Sequence, residues 1–262
     1  LPQPDRYLED ARNLTGRIAR GEPIIGHHPL NVQIQTVSTC NANCYFCPYV
    51  GSWHQKNPGR MDDALYRKIV DQLARYRIKK FCPYFDEPFL DKHLFERIQY
   101  AVDVLKPETV EISSNLSVLL DRHIEGLVNV LAKVPHEFRI SFHGIDKQSY
   151  ERIMELDYEK TLRNVHTVVG LMQYTPLNVL IRGAGEPRRG TDSAERWFGE
   201  VEFRQFWQDQ LAGYRVRPRL NYFTYHDRAG QSQLKSRGLL VSRFAGGSAD
   251  APATVCRAAR WT

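Results

Sequence analysis

Two periodicities alternate along the chain. Tyr7, Leu8, Ala11, Leu14 and Ile18 recur at helical spacing, and Gly21-Glu22-Pro23 ends that helix. Val32-Gln33-Ile34-Gln35-Thr36-Val37 then alternates with period two and reads as a strand. Met61-Asp62-Asp63 opens a helix whose apolar face carries Leu65, Ile69, Leu73 and Tyr76. A short strand over 80–84 follows, then a helix with Leu94, Ile98, Val102 and Leu105. A third strand over 109–113 leads to a helix with Leu120, Ile124, Leu127, Val128 and Leu131. A fourth strand over 138–142 is followed by one or two helices carrying Tyr150, Ile153, Leu162, Val165, Val169 and Met172. The pattern ends with a fifth strand over 177–181, a helix over 197–211 and a sixth strand over 216–223, the last weakened by Pro218. About six strand–helix units in succession argue for an α/β fold with a parallel sheet rolled into a partial barrel.

In such folds the chemistry sits at the C-terminal ends of the strands. The loop leaving the first strand reads Thr39-Cys40-Asn41-Ala42-Asn43-Cys44-Tyr45-Phe46-Cys47-Pro48 and holds three of the five cysteines. It continues through Gly51-Ser52-Trp53-His54 to Pro58-Gly59-Arg60-Met61, long enough to be a functional loop in which His54 is a candidate substrate contact or a solvated histidine. Scattered structural cysteines would not cluster so, and Asn41, Asn43 and Pro48 are poor core company. A closed zinc site needs four ligands, and the fourth would have to be His54, Cys82 or Cys256. The remaining reading is a [4Fe–4S] cluster on three thiolates, with one iron open to a small molecule.

Cys40-x3-Cys44-x-Phe46-Cys47 resembles the CxxxCxΦC signature of the radical S-adenosylmethionine (radical SAM) enzymes. The resemblance implies a partial (β/α)6, TIM-like barrel. It implies S-adenosylmethionine chelated on the open iron, an electron donor such as flavodoxin or ferredoxin, and a 5′-deoxyadenosyl radical that abstracts a substrate hydrogen atom. It makes Phe46 a cofactor neighbour. Phe85-Asp86-Glu87-Pro88 stands where the family carries GGEP, with Phe85 and Asp86 in place of the glycines and Glu87 placed to hold the methionyl ammonium. Ser114-Asn115 after the third strand, Ser141 with His143 after the fourth, and Arg182 after the fifth match positions that bind the ribose or carboxylate. The rival for such polar residues is capping of the next helix, and His143 could face substrate instead.

Cys82 reads as a reduced core cysteine. Cys256, beyond an Ala245–249 stretch rich in Gly and Ser, resembles the entry to a SPASM or twitch extension, whose cysteines hold auxiliary clusters. No cysteine follows it, so it is an auxiliary-cluster ligand of a longer chain, a hydrogen donor or a bystander. The expected organisation is an N-terminal helix or cap over 1–30, the radical SAM barrel over 31–225, and a linker with the start of an extension over 226–262. The chain begins at Leu1 and is expected to be a fragment.

Composition narrows the rest. The net charge of +6 comes from dispersed arginines that do not interleave with aromatics, which argues against a nucleic-acid platform. The glycine-rich 183–193 segment lacks the Gly-Lys-Ser/Thr ending of a phosphate loop. No apolar run approaches a membrane span, no signal peptide is visible, and five cysteines are no disulfide framework, so a cytoplasmic location is expected. The expected activity is oxidation, epimerisation or rearrangement of a small polar metabolite of the sugar or aminocyclitol type. A peptide substrate is the alternative, and a non-catalytic electron carrier or zinc module is the rival from another class.

Overall fold

Alternating strand and helix patterns produce strands that pair in the order in which they occur. The computed structural model describes residues 12, 15–16, 19–21, 31–44, 46–185 and 198–224. β1 (Asn31–Gln33), β2 (Lys80–Cys82), β3 (Thr109–Ser114), β4 (His136–Ser141), β5 (Val179–Gly185) and β6 (Arg219–Thr224) form one sheet in that order. Every neighbouring pair is parallel, so each connection must cross over. The crossovers are α1 (Trp53–Lys56) and α2 (Asp63–Leu73), then α3 (Leu94–Leu105), α4 (Asp121–Asn129), α5 (Lys147–Met154) with α6 (Tyr158–Met172), and α7 (Glu200–Gln210). This is the partial-barrel α/β architecture expected from the alternation. At the N-terminus, Arg12, Thr15, Gly16 and Ala19 are helical.

The two faces of the sheet divide the work. Phe81, Val110, Ile112, Phe138, Ile140, Val179 and Ile181 are buried on the helix-covered face, against Leu94, Ile98, Leu127, Val165, Val168 and Val169. Successive side chains of a strand point to opposite faces. Lys80, Glu111, Glu137, Arg139, Arg182 and Arg219 therefore stand together on the inner face. Glu111 accepts hydrogen bonds from Lys80, Tyr84 and Arg139, and Glu137 accepts from Arg139 and Arg219. The apolar core of this barrel lies outside the sheet, and the inside is a lattice of paired charges.

Element ends differ from the sequence expectation for identifiable reasons. β1 stops at Gln33, although Ile34 N–H still donates to Cys82 O at 3.0 Å. Beyond it the chain turns its hydrogen bonds to the returning loop: Val37 bridges Arg60 antiparallel, and Met61 N–H donates to Thr36 O at 2.8 Å. β6 begins at Arg219, directly after Pro218, which has no N–H to give a ladder. The segment after β4 is two helices because Glu155 takes a left-handed conformation (φ 54°) and Asp157 caps a fresh start, accepting from Lys160 N–H at 2.8 Å. α7 starts at Glu200 and is shorter than the 197–211 pattern.

A buried ion pair holds the far end of the cysteine-bearing loop. Arg97 donates to Asp91 and to Met61 O, both at 2.8 Å, and lies over the Tyr66 ring, whose hydroxyl donates to Arg97 O at 2.7 Å. Removing one member of such a pair strands the other's charge.

Gly144, just past β4, has no room for a side chain. A Cβ there would lie 2.6 Å from the Tyr150 Cα, and backbone cannot swing aside as a side chain can. Gly144→Ala should lower stability by about 1–3 kcal/mol through forced displacement of α5, read as a lower urea midpoint. An unchanged midpoint would mean that this turn is slack.

Candidate active site

The loop after β1 is built by side chains that looked out of place in a core. Asn41 Nδ2 donates to Ser117 Oγ at 2.6 Å, and Asn43 Nδ2 donates to Glu155 Oε2 at 2.8 Å. Asn115 Nδ2 donates to Asn41 Oδ1 at 3.0 Å and comes within 3.9 Å of Cys40 Sγ. Backbone bonds complete the fastening: Glu87 N–H to Thr39 O at 3.1 Å and Asn43 N–H to Met154 O at 3.2 Å. The strand ends of β2 and β3 and the end of α5 thus position the three cysteines.

Cys44 is buried, Cys40 and Cys47 are half-buried, and all three are free thiols. Burial, then the neighbouring Glu87 carboxylate, pushes the Cys40 thiol up to about 12. Burial and the other two cysteines raise Cys44 as well. Thiols that resist ionisation alone, as Cys40 and Cys44 do, become thiolates against a cationic metal. Among the described residues no three His, Cys, Asp or Glu side chains converge as ligands of a single ion would. Three thiols in one loop are the number of protein ligands of a [4Fe–4S] cluster with one open iron.

Glu87 is a hub. It is 2% exposed, and its carboxylate accepts from Phe89 N–H at 3.1 Å, Ser114 Oγ–H at 2.7 Å and Asn115 N–H at 2.7 Å. A carboxylate offers about four acceptor positions, so roughly one remains for a ligand. Burial lifts the Glu87 carboxyl to about 7, against the pull of those three bonds. Ser114 is turned toward Glu87 and also accepts from Leu116 N–H at 2.9 Å. Asn115 Oδ1 accepts from Ser117 N–H and Oγ–H at 2.9 and 2.8 Å. Ser114 therefore holds Glu87, while Asn115 spans from Glu87 to the cysteine loop. Asp86 accepts from Gln35 Nε2 at 2.6 Å, and Phe85 is 63% exposed.

An aromatic line joins the cysteine loop to the far strands. The Phe46 ring meets the His143 ring edge-on with centroids 5.0 Å apart. His143 meets Phe223 of β6 at 5.9 Å, and Arg182 lies 4.9 Å over the Phe223 ring. The sequence reading missed Phe223, together with Tyr84, Glu111, Glu137, Arg139 and Arg219. The signal was there: charged residues two apart on β4, at 137/139, mark an inward polar face. His54 is exposed on α1, and Cys82 is a buried free thiol. Cys256 and the 186–197 segment lie outside the described residues.

Burial, then the nearby Arg182 charge, pushes the His143 imidazolium down to about 3, and its Nδ1 has no hydrogen-bond partner among the described residues. A histidine whose folded value is depressed contributes stability that is complete above about 6.5 and is lost as pH falls toward 3, at about 1.4 kcal/mol per pH unit. Between pH 6.5 and 5 the cofactor-free protein should lose about 1.5–2 kcal/mol from this group. His143→Gln should show a correspondingly flatter fall of urea midpoint over that interval. Parallel curves for the two proteins would refute the assignment.

Comparisons with known proteins bear on the family and the fold. Residues 34–185, more than half of the chain, match the family model of the radical SAM superfamily. A 24% identical match over 138 residues, covering 48% of this chain and 55% of the relative, is to the S-adenosyl-L-methionine-dependent 2-deoxy-scyllo-inosamine dehydrogenase of Niallia circulans. The crystal structure of Streptococcus suis SuiB bound to precursor peptide SuiA is similar in fold, with TM-score 0.58 and 15% identity over 88% of this chain and 47% of that one. The Kitasatospora setae radical S-adenosylmethionine methyltransferase TsrM, with cobalamin and [4Fe–4S] cluster bound, aligns with TM-score 0.50 and 14% identity over 73% of this chain and 36% of that one. The chain spans about half the length of the first two of these relatives.

Proposed function

The chain belongs to the radical SAM superfamily, and from that premise we propose that it is the catalytic barrel of an enzyme that abstracts a hydrogen atom from a small polar metabolite of the sugar or aminocyclitol type. Family membership implies a [4Fe–4S] cluster and S-adenosylmethionine. When bound, they supply one-electron cleavage of the sulfonium and the hydrogen-abstracting radical. Cys40, Cys44 and Cys47 hold the cluster. Glu87, through its remaining acceptor position, takes the methionyl ammonium, and Asn115 fixes the distance between Glu87 and Cys40. Phe46 and His143 form the wall beside the adenosyl group.

One observation carries the polar-substrate reading. The inner face below the cysteine loop is lined by Glu111, Glu137, Arg139 and Arg219 in mutual hydrogen bonds, charged and hydrogen-bonding groups that suit a polar substrate. The Niallia circulans relative is named as a dehydrogenase of an aminocyclitol, which supports oxidation as the outcome, ahead of epimerisation or rearrangement. A peptide substrate is the second reading. It is favoured by the exposed Trp53 and Phe85, at 70% and 63%, on the loops after β1 and β2. A flavodoxin or ferredoxin would deliver the electron. No helix among the described residues is long and apolar enough to cross a membrane, and a cytoplasmic setting suits an oxygen-sensitive cluster. Cys256 belongs, on this reading, to an auxiliary cluster of a SPASM- or twitch-like extension. Iron analysis of the full-length gene product carrying the Cys40/Cys44/Cys47 alanine changes would reveal a residual cluster that Cys256→Ala removes.

The experiment for the main reading is anaerobic incubation of reconstituted protein with S-adenosylmethionine and dithionite, in ordinary and deuterated buffer, with candidate metabolites and peptides. Substrate-dependent 5′-deoxyadenosine is expected, with deuterium passing from labelled substrate into it. No 5′-deoxyadenosine from a protein that has taken up its cluster would overturn the proposal.

A further inference from the structure

The arm between the cysteine loop and α2 is ordered without being buried. Every residue from Trp53 to Arg60 is exposed, Trp53 at 70%. Yet the arm is fastened at both ends, and to the cysteine loop itself. Gln55 Oε1 accepts from Gly51 N–H at 2.6 Å, and Gln55 Nε2 donates at 3.3 Å to the Oδ1 of Asn43, which lies between Cys40 and Cys44. Gly59 N–H donates to Ser38 Oγ at 2.8 Å, and Ser38 N–H donates to Gly59 O at 3.0 Å. The Trp53 ring is met edge-on by the His54 ring, with centroids 5.5 Å apart.

The segment after β2 adjoins this arm. Arg60 Nη1 donates to Leu90 O at 3.1 Å. Burial lifts the Asp86 carboxyl, and nearby His54 pulls against that lift. Phe85, exposed beside Asp86, therefore stands near the exposed Trp53 beside His54. Ordered aromatics kept in water together are the kind of side chain that anchors protein–protein contacts.

The charge around them has one sign. No acidic residue occurs from Pro48 to Met61. Lys56 and Arg60 are exposed and, among the described residues, make no ion pair. The acids that follow are turned away: Asp62 accepts from the N–H groups of Ala64 and Leu65, and Asp63 accepts from Arg67. Asp86 is half-buried and accepts from Gln35. The arm runs on into α2, whose Tyr66 and Val70 pack in the core outside the sheet, and the paired charges of the inner face lie on the sheet's other side. An acidic protein surface is complementary to this patch, and it would arrive against the loop that carries the three cysteines.

We propose that Trp53, Lys56, Arg60 and Phe85 form the docking patch of the electron donor, and that the donor is a carrier protein with an acidic rim around its redox group. One electron leaves the carrier and one arrives on the cluster, with no bond made or broken. This rests on the assignment of a [4Fe–4S] cluster to Cys40, Cys44 and Cys47. A peptide substrate is the other candidate for the two aromatics, and the test separates the two.

The probes are an acidic bacterial flavodoxin, photoreduced, and reduced methyl viologen, a small cation that needs no docking patch. Each is mixed anaerobically with the reconstituted full chain, and bleaching of the cluster is followed in time. With flavodoxin, the parent's rate should fall steeply as salt rises from about 50 to 500 mM, because exposed charges are screened. Lys56→Glu combined with Arg60→Glu should slow flavodoxin at least tenfold at low salt and flatten the salt dependence. Lys56→Glu alone, which spares the Arg60 bond to Leu90, should slow it several-fold. Trp53→Ala should do the same at every salt concentration, with Trp53→Phe recovering part. Reduction by methyl viologen should stay within about twofold in all variants. Calorimetric titration of flavodoxin into metal-free protein reads the patch without the cluster, and the same variants should weaken binding there. Urea midpoints and iron content like the parent's would show that the variants fold and load. The proposal is overturned if the parent's flavodoxin rate ignores salt, if both reductants slow alike, or if flavodoxin reduces the variants normally while peptide-dependent 5′-deoxyadenosine is lost. A parent that takes electrons through the patch and yet makes no 5′-deoxyadenosine would leave the docking site standing and remove the hydrogen-abstraction reading.

Discussion

Replacing Cys40, Cys44 and Cys47 together by alanine should abolish the brown iron–sulfur absorbance of anaerobically reconstituted protein and with it all cleavage of S-adenosylmethionine. The expectation rests on two links. Three thiols share one loop at the end of β1, and their packing raises Cys40 and Cys44 away from ionisation, so they become thiolates only against metal. The loop itself should survive the change. Its fastening is made mainly by Asn41 to Ser117, Asn43 to Glu155 and Asn115 to Asn41, with only the long Asn115–Cys40 contact reaching a sulfur. Far-ultraviolet circular dichroism and the urea midpoint should therefore stay near those of the metal-free parent. Cys82→Ala is the control: its thiol is buried on β2, and losing it should leave cluster content unchanged. A triple variant that reconstitutes as well as the parent would place the metal site elsewhere in the chain.

Glu87→Ala should be the most damaging single change at the site. It leaves Phe89 N–H, Ser114 Oγ–H and Asn115 N–H without their acceptor in a place water does not reach. Each stranded buried group costs about 1–3 kcal/mol, so the loss should be on the order of 3–6 kcal/mol, a large part of a typical domain's stability. Asn115 would also lose the anchor that sets it against Asn41 and Cys40, so cluster uptake should fall too. Glu87→Gln separates the structural from the ligand-binding role. Its amide oxygen can keep Phe89 and Ser114, but its NH2 would then face the N–H of Asn115, donor against donor. This variant should fold with a loss of about 1–3 kcal/mol and bind S-adenosylmethionine more weakly by a similar amount. Folded Glu87→Gln protein with unchanged affinity would move the ammonium's partner to another residue.

Some of this was local and could be read without a structure. The alternation of period-two and helical stretches depends only on near neighbours in the chain, and it led to six parallel strands with crossover helices. The Cys40, Cys44 and Cys47 spacing is likewise a property of eight consecutive residues, and residues 34–185 match the radical SAM family model. The end of β1 was not local: it stops because Thr36 and Val37 find partners at Met61 and Arg60, more than twenty residues away. Roles of polar residues at strand ends were even less so. Ser114, Asn115 and Arg182 look alike in a sequence, as polar groups that could meet a cofactor. Only the tertiary structure turns Ser114 onto Glu87, spans Asn115 from Glu87 to the cysteine loop, and sets Arg182 over the Phe223 ring beside Asn221. The physical reason is that a hydrogen bond is decided by where its partner stands, and here the partners come from other strands. Pattern along one strand says which face a side chain occupies, whereas register between strands decides what it meets there.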